Sequence, residues 1–351
     1  MATVFSVGAT LAHKGLMAHA CASKTESFRE LGNQRIGVQA MAMTTILGAG
    51  GAISNELAKI LAARRMPFRL VGRNPKPFGG AEVSAADLSD QEQTIKAVAG
   101  STVVHLLVGL KYDVRVWREL WPRIMANTIE ACKRAQARLV FFDNVYMYGR
   151  VQGPMTEETP YAPCSKKGEV RAQIATMLMK EVKAGAATAM IARSGDFYGP
   201  DTRNGVPNLL VFEPLARGKK ASWLVDARVP HSLTFTPDAA RGVDTLANSE
   251  SAWNQVWHLP TAAEPPTGEQ FIAMAAKELG VAPRHRVLGR TMLRVAGWFD
   301  PLVRESHEML YQSDSPYLFD STKFAKAFGF AGTSYADGVR IVAESYKKRT
   351  A

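Results

Sequence analysis

The tightest constraint on how this chain can fold is the run Thr44-Thr45-Ile46-Leu47-Gly48-Ala49-Gly50-Gly51-Ala52-Ile53-Ser54. A β-branched and apolar segment breaks into glycines, then resumes as Asn55-Glu56-Leu57-Ala58-Lys59-Ile60-Leu61-Ala62 with apolar residues at helical spacing. This is the pattern of a strand, a tight turn and a helix. Glycine turns without Cβ clashes, lets backbone N–H groups approach a ligand, and leads to a helix N-terminus that favours negative charge. Gly48, Gly50 and Gly51, with Ala52 and Ile53 opening the helix, are therefore candidate contacts to the pyrophosphate of a dinucleotide. Two glycines in a turn are common, so the rest of the chain has to carry part of this reading.

It continues as alternating strands and helices. Residues 67–73 read as a second strand, 91–99 as a helix, 102–108 as a buried strand, 117–135 as a long helix and 138–142 as another strand. Such βα units predict an α/β protein, a Rossmann-type doubly wound parallel sheet covered by helices on both faces. No repeat of solenoid period is present. The second half is less regular, with strands expected at 188–193 and 255–259 and, after the segment 231–236, a helix from Pro237 to Leu246. The expected division is a flexible extension over 1–42, a nucleotide-binding core over 43–200, and a mixed region over 201–351. That last region completes the sheet and forms a smaller substrate lobe.

Residues 1–42 are poor in acidic side chains and lack strong periodicity, which fits an organelle (plastid or mitochondrial) transit peptide as well as an upstream start before Met41 or Met43. No stretch approaches the roughly 20 apolar residues that span a bilayer. The 3 cysteines, widely separated, offer neither a disulfide framework nor a zinc pattern, so a reducing compartment such as the cytoplasm is the default and no metal is expected. The net charge of +11 lies mostly outside the extension and suits an anionic cofactor or substrate. Nucleic acid is not expected, because no zinc knuckle, recognition helix or aromatic-interleaved basic helix is present. Residues 284–311 are basic and apolar at once, a segment that could receive an acidic substrate group, form a cationic surface with an apolar underside, or lie on a membrane surface.

In a dinucleotide fold the residue ending the second strand meets the adenosine ribose. An acidic residue there suits the 2′-hydroxyl of NAD; an arginine suits the 2′-phosphate of NADP. Arg73 holds that position, which favours NADP over NAD. Asp87 and Leu88 follow where a carboxylate can accept from the adenine amino group, although Asp87 reads equally well as a helix cap.

Taken together, these segments resemble the extended short-chain dehydrogenase/reductase superfamily, in its branch of NAD(P)-dependent epimerases and dehydratases. Gly48, Gly51 and Ser54 fall on that family's G-x-x-G-x-x-G turn, with serine in the third place. Val103 to Leu107 resembles its fourth strand, Asp143 to Gly149 its S-S-x-x-V-Y-G strand end, and Thr156 to Pro160 its T-E-D-T-P approach loop. Arg193 to Pro200 is similar to its R-P-x-x-V-Y-G-P loop. The resemblance implies hydride chemistry on a small organic substrate, a cofactor set that includes Leu107, and a homodimer.

The match departs from the family where proton transfer belongs. The family uses a serine or threonine with a Y-x-x-x-K pair. Here those places fall on Asn144, Lys167 and Arg171. Asn144 is then expected to orient a substrate oxygen, Lys167 to carry the proton, and Arg171 to hold the cofactor ribose; the last two also count as cofactor contacts. Tyr146, Tyr148 and Tyr161 are the alternative hydroxyls, and Tyr198 borders the site in relatives. His105, His231 and His258 read as structural. A non-catalytic NADP(H)-sensing or scaffold protein, or an epimerase or dehydratase that retains its cofactor, are the competing readings.

Overall fold

Strands whose successive residues are all apolar belong between two layers of helix, and that is how this chain is built. The computed structural model describes residues 42–350. The extension expected over 1–42 lies, Ala42 apart, outside them, as do the transit-peptide and later-start alternatives. The first half runs β1 (Met43–Leu47), α1 (Ala52–Ala63), β2 (Phe68–Gly72), β3 (Glu82–Ala85), α2 (Gln91–Val98), β4 (Ser101–Leu106), α3 (Val114–Ala135), β5 (Arg138–Asp143), β6 (Pro154–Met155) and α4 (Lys166–Lys183). The second half adds β7 (Ala189–Arg193), β8 (Asp196–Tyr198), α5 (Glu213–Ala216), β9 (Ala221–Leu224), β10 (Leu233–Phe235), α6 (Thr236–Ala247), β11 (Val256–His258) and α7 (Gly268–Leu279). It closes with β12 (His285–Leu288), α8 (Arg290–Ala296), α9 (Pro301–Ser306), the 3₁₀ segment His307–Ser313, β13 (Leu318–Phe319), α10 (Thr322–Phe328) and α11 (Tyr335–Thr350).

One all-parallel sheet of 7 strands runs in the order β11-β7-β5-β4-β1-β2-β3. Alternate residues of each strand feed opposite cores. Leu47, Val104, Leu106, Leu139, Phe141 and Ile191 pack on one side with Trp121 and Ile124 of α3 and Val170, Ile174 and Leu178 of α4. Ile46, Val103, Val140 and Met190 pack on the other with Leu57 and Leu61 of α1 and Val243 and Leu246 of α6. Burial on both faces is the reason these strands show no polar alternation.

The chain passes from β1 outward to β2 and β3, then returns to the other side of β1 as β4. That reversal opens a crevice at the carboxyl ends of β1 and β4, where open α/β sheets bind ligands. A second core, with Tyr198, Phe212, Trp223, Phe235 and Phe271, lies outside the sheet and is joined by Val339 and Val342 of α11. The small parallel pairs β8/β10, β9/β12 and β6/β13 stitch this part together.

The expected strands of the large sheet appear within a residue or two, with β3 added to it, and the short strands of the two-stranded pairs were not expected. β3 is a short edge strand with mostly exposed side chains, so no apolar pattern announces it. The helix expected from Trp117 begins three residues earlier, at Val114, because Asp113 caps it by accepting from the Arg115 N–H at 2.9 Å. No helix among the described residues is long and apolar enough to cross a membrane.

Candidate functional site

A cleft of about 1300 Å³ opens at the crevice between β1 and β4 and runs toward the second core. That exceeds the roughly 300–1,000 Å³ of ordinary small-molecule pockets, leaving room for two ligands side by side. Ala49, Gly50, Gly51, Ala52, Ile53 and Leu107 line one end. Gly48 stands behind them and sets their position. Its φ is +106°, and a Cβ there would lie 2.7 Å from the carbonyl carbon and oxygen of Leu107. Only glycine lets the β1 turn pass this close to the end of β4. Gly50 has φ +91° with open space where its Cβ would project, so its backbone faces the cleft unshielded. Gly51 precedes α1 as a cap residue without a side chain, which leaves the first N–H groups of the helix for a ligand. Ser54, in place of the third glycine, is buried and donates its hydroxyl to the Gly51 carbonyl at 2.9 Å.

The structure corrects the adenosine end in part. Arg73 follows β2 as expected but is exposed and does not line the cleft. The cleft wall near the glycine turn and the segment after β2 includes Asn55, Lys59, Asn74 and Lys76, with Lys59 paired to Glu56 at 2.7 Å. Asp87 is exposed and not part of the wall. Its Oδ1 accepts from the Ser89 N–H at 2.9 Å and hydroxyl at 2.8 Å, bonds that hold its carboxyl below the ordinary value. The cap of α2 is Asp90. Leu88 is a buried core residue.

Farther along, β5 ends on Asp143, which is fully buried with Arg171 Nη1 3.3 Å from one carboxylate oxygen and Arg193 Nε 3.6 Å from the other. Burial pushes the Asp143 carboxyl up while the two guanidiniums and the Asn144 N–H oppose it. Arg171, one turn into α4, reaches over the Trp121 ring at 4.1 Å from its centroid and lines the cleft. Its buried Nε has no hydrogen-bond acceptor among the described residues. Asn144 lines the same wall. Its N–H donates to Asp143 Oδ1 at 2.9 Å and its Oδ1 accepts from the Tyr146 N–H at 3.1 Å, which leaves the amide NH₂ for a ligand.

Lys167 is the expectation that the geometry overturns. Both Lys167 and Arg171 are buried, so this is no solvated helix start, but Lys167 does not line the cleft. Its Nζ lies 2.7 Å from Glu305 Oε2, 2.9 Å from the Glu305 carbonyl and 2.9 Å from Glu308 Oε1. An ammonium has three N–H donors, and these three oxygens take them all. The position is filled by a structural ion pair.

Tyr146 and Tyr112 line the same cleft as Asn144 and Arg171. Tyr146 stacks on Trp117 with ring centroids 6.3 Å apart. Burial raises its phenol to about 12, against the opposing effects of Tyr112 and Arg171. It therefore keeps its proton at neutral pH.

His231, expected to be structural, lines the cleft together with Asp196 and Tyr317, which were not singled out in the sequence. Asp196 Oδ2 lies 3.0 Å from His231 Nε2, and the imidazole stacks on Tyr317 at 4.4 Å. His231 Nδ1 and the Tyr317 hydroxyl are buried with no protein partner. No sequence motif links positions 35 residues apart; only the β8/β10 pairing brings them together. Tyr198 belongs to the second core, not to the cleft, and His105 and His258 are buried away from it. Tyr148 and Tyr161 both bond the Arg193 guanidinium outside the cleft. Among the described residues no group of three or more His, Cys, Asp or Glu is placed to hold a metal ion.

Comparison with known proteins agrees with this architecture. Residues 44–255 match the model of the NAD dependent epimerase/dehydratase family. No curated protein sequence matches the chain. Among solved structures, the protein gox2253 superposes with a TM-score of 0.73 at 18% identity, covering 88% of this chain and 98% of that one. UDP-glucuronic acid 4-epimerase from Bacillus cereus, solved with UDP-glucuronic acid and NAD, gives 0.72 at 16% identity, with 88% and 99% covered. A dTDP-glucose 4,6-dehydratase from Streptomyces venezuelae, solved with NAD, gives 0.71 at 16% identity, with 88% and 97% covered. At such identities the likeness is one of fold; it is the family match, spanning more than half the sequence, that shows the chain to be a member of the NAD dependent epimerase/dehydratase family.

Proposed function

We propose that the protein is a nicotinamide-dinucleotide-dependent oxidoreductase acting on a small organic carbonyl compound, with Tyr146 in place of the missing family tyrosine. The observation that carries this reading is the continuity of one cleft. It begins at an uncapped helix N-terminus behind a glycine turn and ends among Asn144, Tyr146 and Arg171, where the guanidinium is ion-paired to Asp143 but its buried Nε has no hydrogen-bond acceptor. A bound nicotinamide dinucleotide supplies the hydride donor or acceptor. Gly50, Gly51, Ala52 and Ile53 would hold its pyrophosphate and Leu107 would border it. Arg171 would bind its ribose hydroxyls as a fixed cation, since a guanidinium does not deprotonate at ordinary pH.

The remaining roles fall to the chain itself. The Asn144 amide donates to the substrate oxygen. The Tyr146 hydroxyl gives that oxygen its proton during reduction, or takes it during oxidation. Lys76 on the cleft wall, with Arg73 three residues before it in the chain, would favour an additional phosphate and hence NADP.

The test is a fluorescence titration of the full chain with NADPH and NADH, then a screen of carbonyl compounds by loss of reduced nucleotide. Binding of either nucleotide that weakens in Gly50→Ala, with turnover lost in Tyr146→Phe, supports the reading. Failure to bind either nucleotide overturns it.

A further inference from the structure

The segment from β12 to α9 carries an apolar ridge that none of the described residues covers. Trp298 is 73% exposed, Phe299 84%, Leu302 54%, Met292 47% and Val295 46%. Large apolar side chains exposed together in this way mark an interaction surface. The ridge is bordered by Arg284, Arg286, Arg290, Arg294 and Arg304, all exposed, with Asp300 the only acidic residue between 284 and 304. None of these arginines lines the cleft, so they do not receive a substrate's acidic group there.

The ridge is continuous with the mouth of the cleft. Leu302 belongs to both, and Val206 and Leu209 are likewise exposed residues of the cleft wall. The ridge thus lies beside the opening through which a substrate enters.

Its composition selects among occupants. Arg284, Arg286 and Arg290 bond Gly218, Ser222 and Asp314, and a two-fold contact between copies through α8 and α9 would bring Arg294 and Arg304 near their own images, which like-charge repulsion opposes. An aromatic pair at a turn, flanked by aliphatic residues and ringed by arginines, instead suits a surface with an apolar interior and anionic headgroups. We propose that the α8–α9 ridge seats the protein on the surface of an anionic lipid bilayer, turning the mouth of the cleft toward the lipid. Trp298, Phe299 and Leu302 enter the headgroup boundary, and the exposed Arg294 and Arg304 lie against the phosphates.

The full-length protein is sedimented with vesicles of phosphatidylcholine alone and of phosphatidylcholine with phosphatidylglycerol. Binding is expected on the anionic vesicles and is weakened by salt. Trp298→Ala with Phe299→Ala should lower affinity about tenfold or more, as the loss of two inserted aromatics requires. Arg294→Glu with Arg304→Glu should abolish the preference for anionic vesicles. Both pairs are exposed, so thermal melting should match the parent in each variant. Absence of binding to anionic vesicles overturns the proposal, as does binding that the aromatic pair does not affect. A dimer that the aromatic substitutions convert to monomer, without lipid binding, also overturns it and assigns the ridge to self-association.

Discussion

The Lys167 ammonium and the Glu305 carboxylate lie 2.7 Å apart, and the pair joins the start of α4 to the end of α9. The same Glu305 oxygen accepts from the Val114 N–H at 2.9 Å, and Glu308 accepts from the Lys166 N–H at 2.8 Å. Two helix N-termini, those of α3 and α4, are thus satisfied by carboxylates from the α9 region, as their dipoles favour. Removing the cation leaves both carboxylates facing a buried gap. Lys167→Met should therefore destabilise the fold by about 3–5 kcal/mol, the usual cost of breaking a buried pair from one side. Urea unfolding would read this. Tight nucleotide binding with unchanged stability in this variant would instead return Lys167 to the cleft.

The clamp has a pH dependence whose sign follows from Glu305. Burial alone would raise its carboxyl, but Lys167 and the Val114 N–H outweigh that and hold it below its ordinary value. A depressed carboxylate contributes stability that is present above the unfolded value, near 4.3, and is lost as pH falls through the folded one. Glu305→Gln should cost stability at pH 7, and the gap from the parent should narrow as the pH drops below about 4.3. Parallel unfolding curves at the two pH values measure that gap.

Buried histidines act over a higher range. His258 is fully buried; its Nδ1 donates to the Asp320 carbonyl at 2.7 Å and its Nε2 accepts from the Tyr148 hydroxyl at 2.8 Å. Tyr148 in turn accepts from Arg193, so the network fits a neutral imidazole. Burial lowers His258 to about 3 and His105 to about 4. Each contributes stability that is complete above the unfolded value near 6.5 and declines as pH falls below it. Between pH 6.5 and 5 each should cost on the order of 2 kcal/mol. His105→Leu, whose ring Nδ1 has no hydrogen bond to lose, should remove its share of that slope. An unchanged slope in this variant would falsify the assignment.

The sheet was largely legible in the sequence because burial on both faces makes each strand a continuous apolar run, as in Val140 and Phe141. β3 was not, because Glu82 and Val83 lie on an exposed edge where burial imposes no pattern. The glycine turn was legible since Gly48 needs a conformation and a closeness that only glycine tolerates. Lys167 was misread for a different reason. Spacing from Gly168 placed it on the right helix, but its partners Glu305 and Glu308 come from 138 and 141 residues away. Arg73 shows the limit within a motif: it ends the expected strand, yet the cleft wall takes Lys59 and Lys76 from neighbouring segments.

Gly48 and Gly50 should separate packing from binding. At Gly48 a Cβ meets Leu107 backbone at 2.7 Å, so Gly48→Ala should lower both stability and nucleotide affinity. At Gly50 the Cβ projects into open space, leaving only the strain of its φ of +91°, roughly 1–2 kcal/mol. Gly50→Ala should therefore fold with a modest loss in melting temperature. Its nucleotide affinity should fall much further, because the new methyl occupies the approach to the backbone. Equal losses of affinity and stability in Gly50→Ala would mean that no ligand comes close to this turn.

Tyr146→Phe tests the chemistry while sparing the packing. The ring can remain stacked on Trp117, so stability should be nearly unchanged. Loss of the hydroxyl should reduce kcat by about 10²–10⁴-fold, the usual contribution of a positioned proton donor, with nucleotide Kd little altered. Because burial raises the Tyr146 phenol to about 12, it remains a donor throughout the neutral range. Carbonyl reduction by the parent should accordingly show no loss of rate from this group until the pH becomes strongly alkaline. Asn144→Ala should also lower kcat, by depriving the same substrate oxygen of its second donor. A Tyr146→Phe variant that turns over at the parent rate would pass the proton role to another cleft group, with His231 and Asp196 next in line at 3.0 Å from each other.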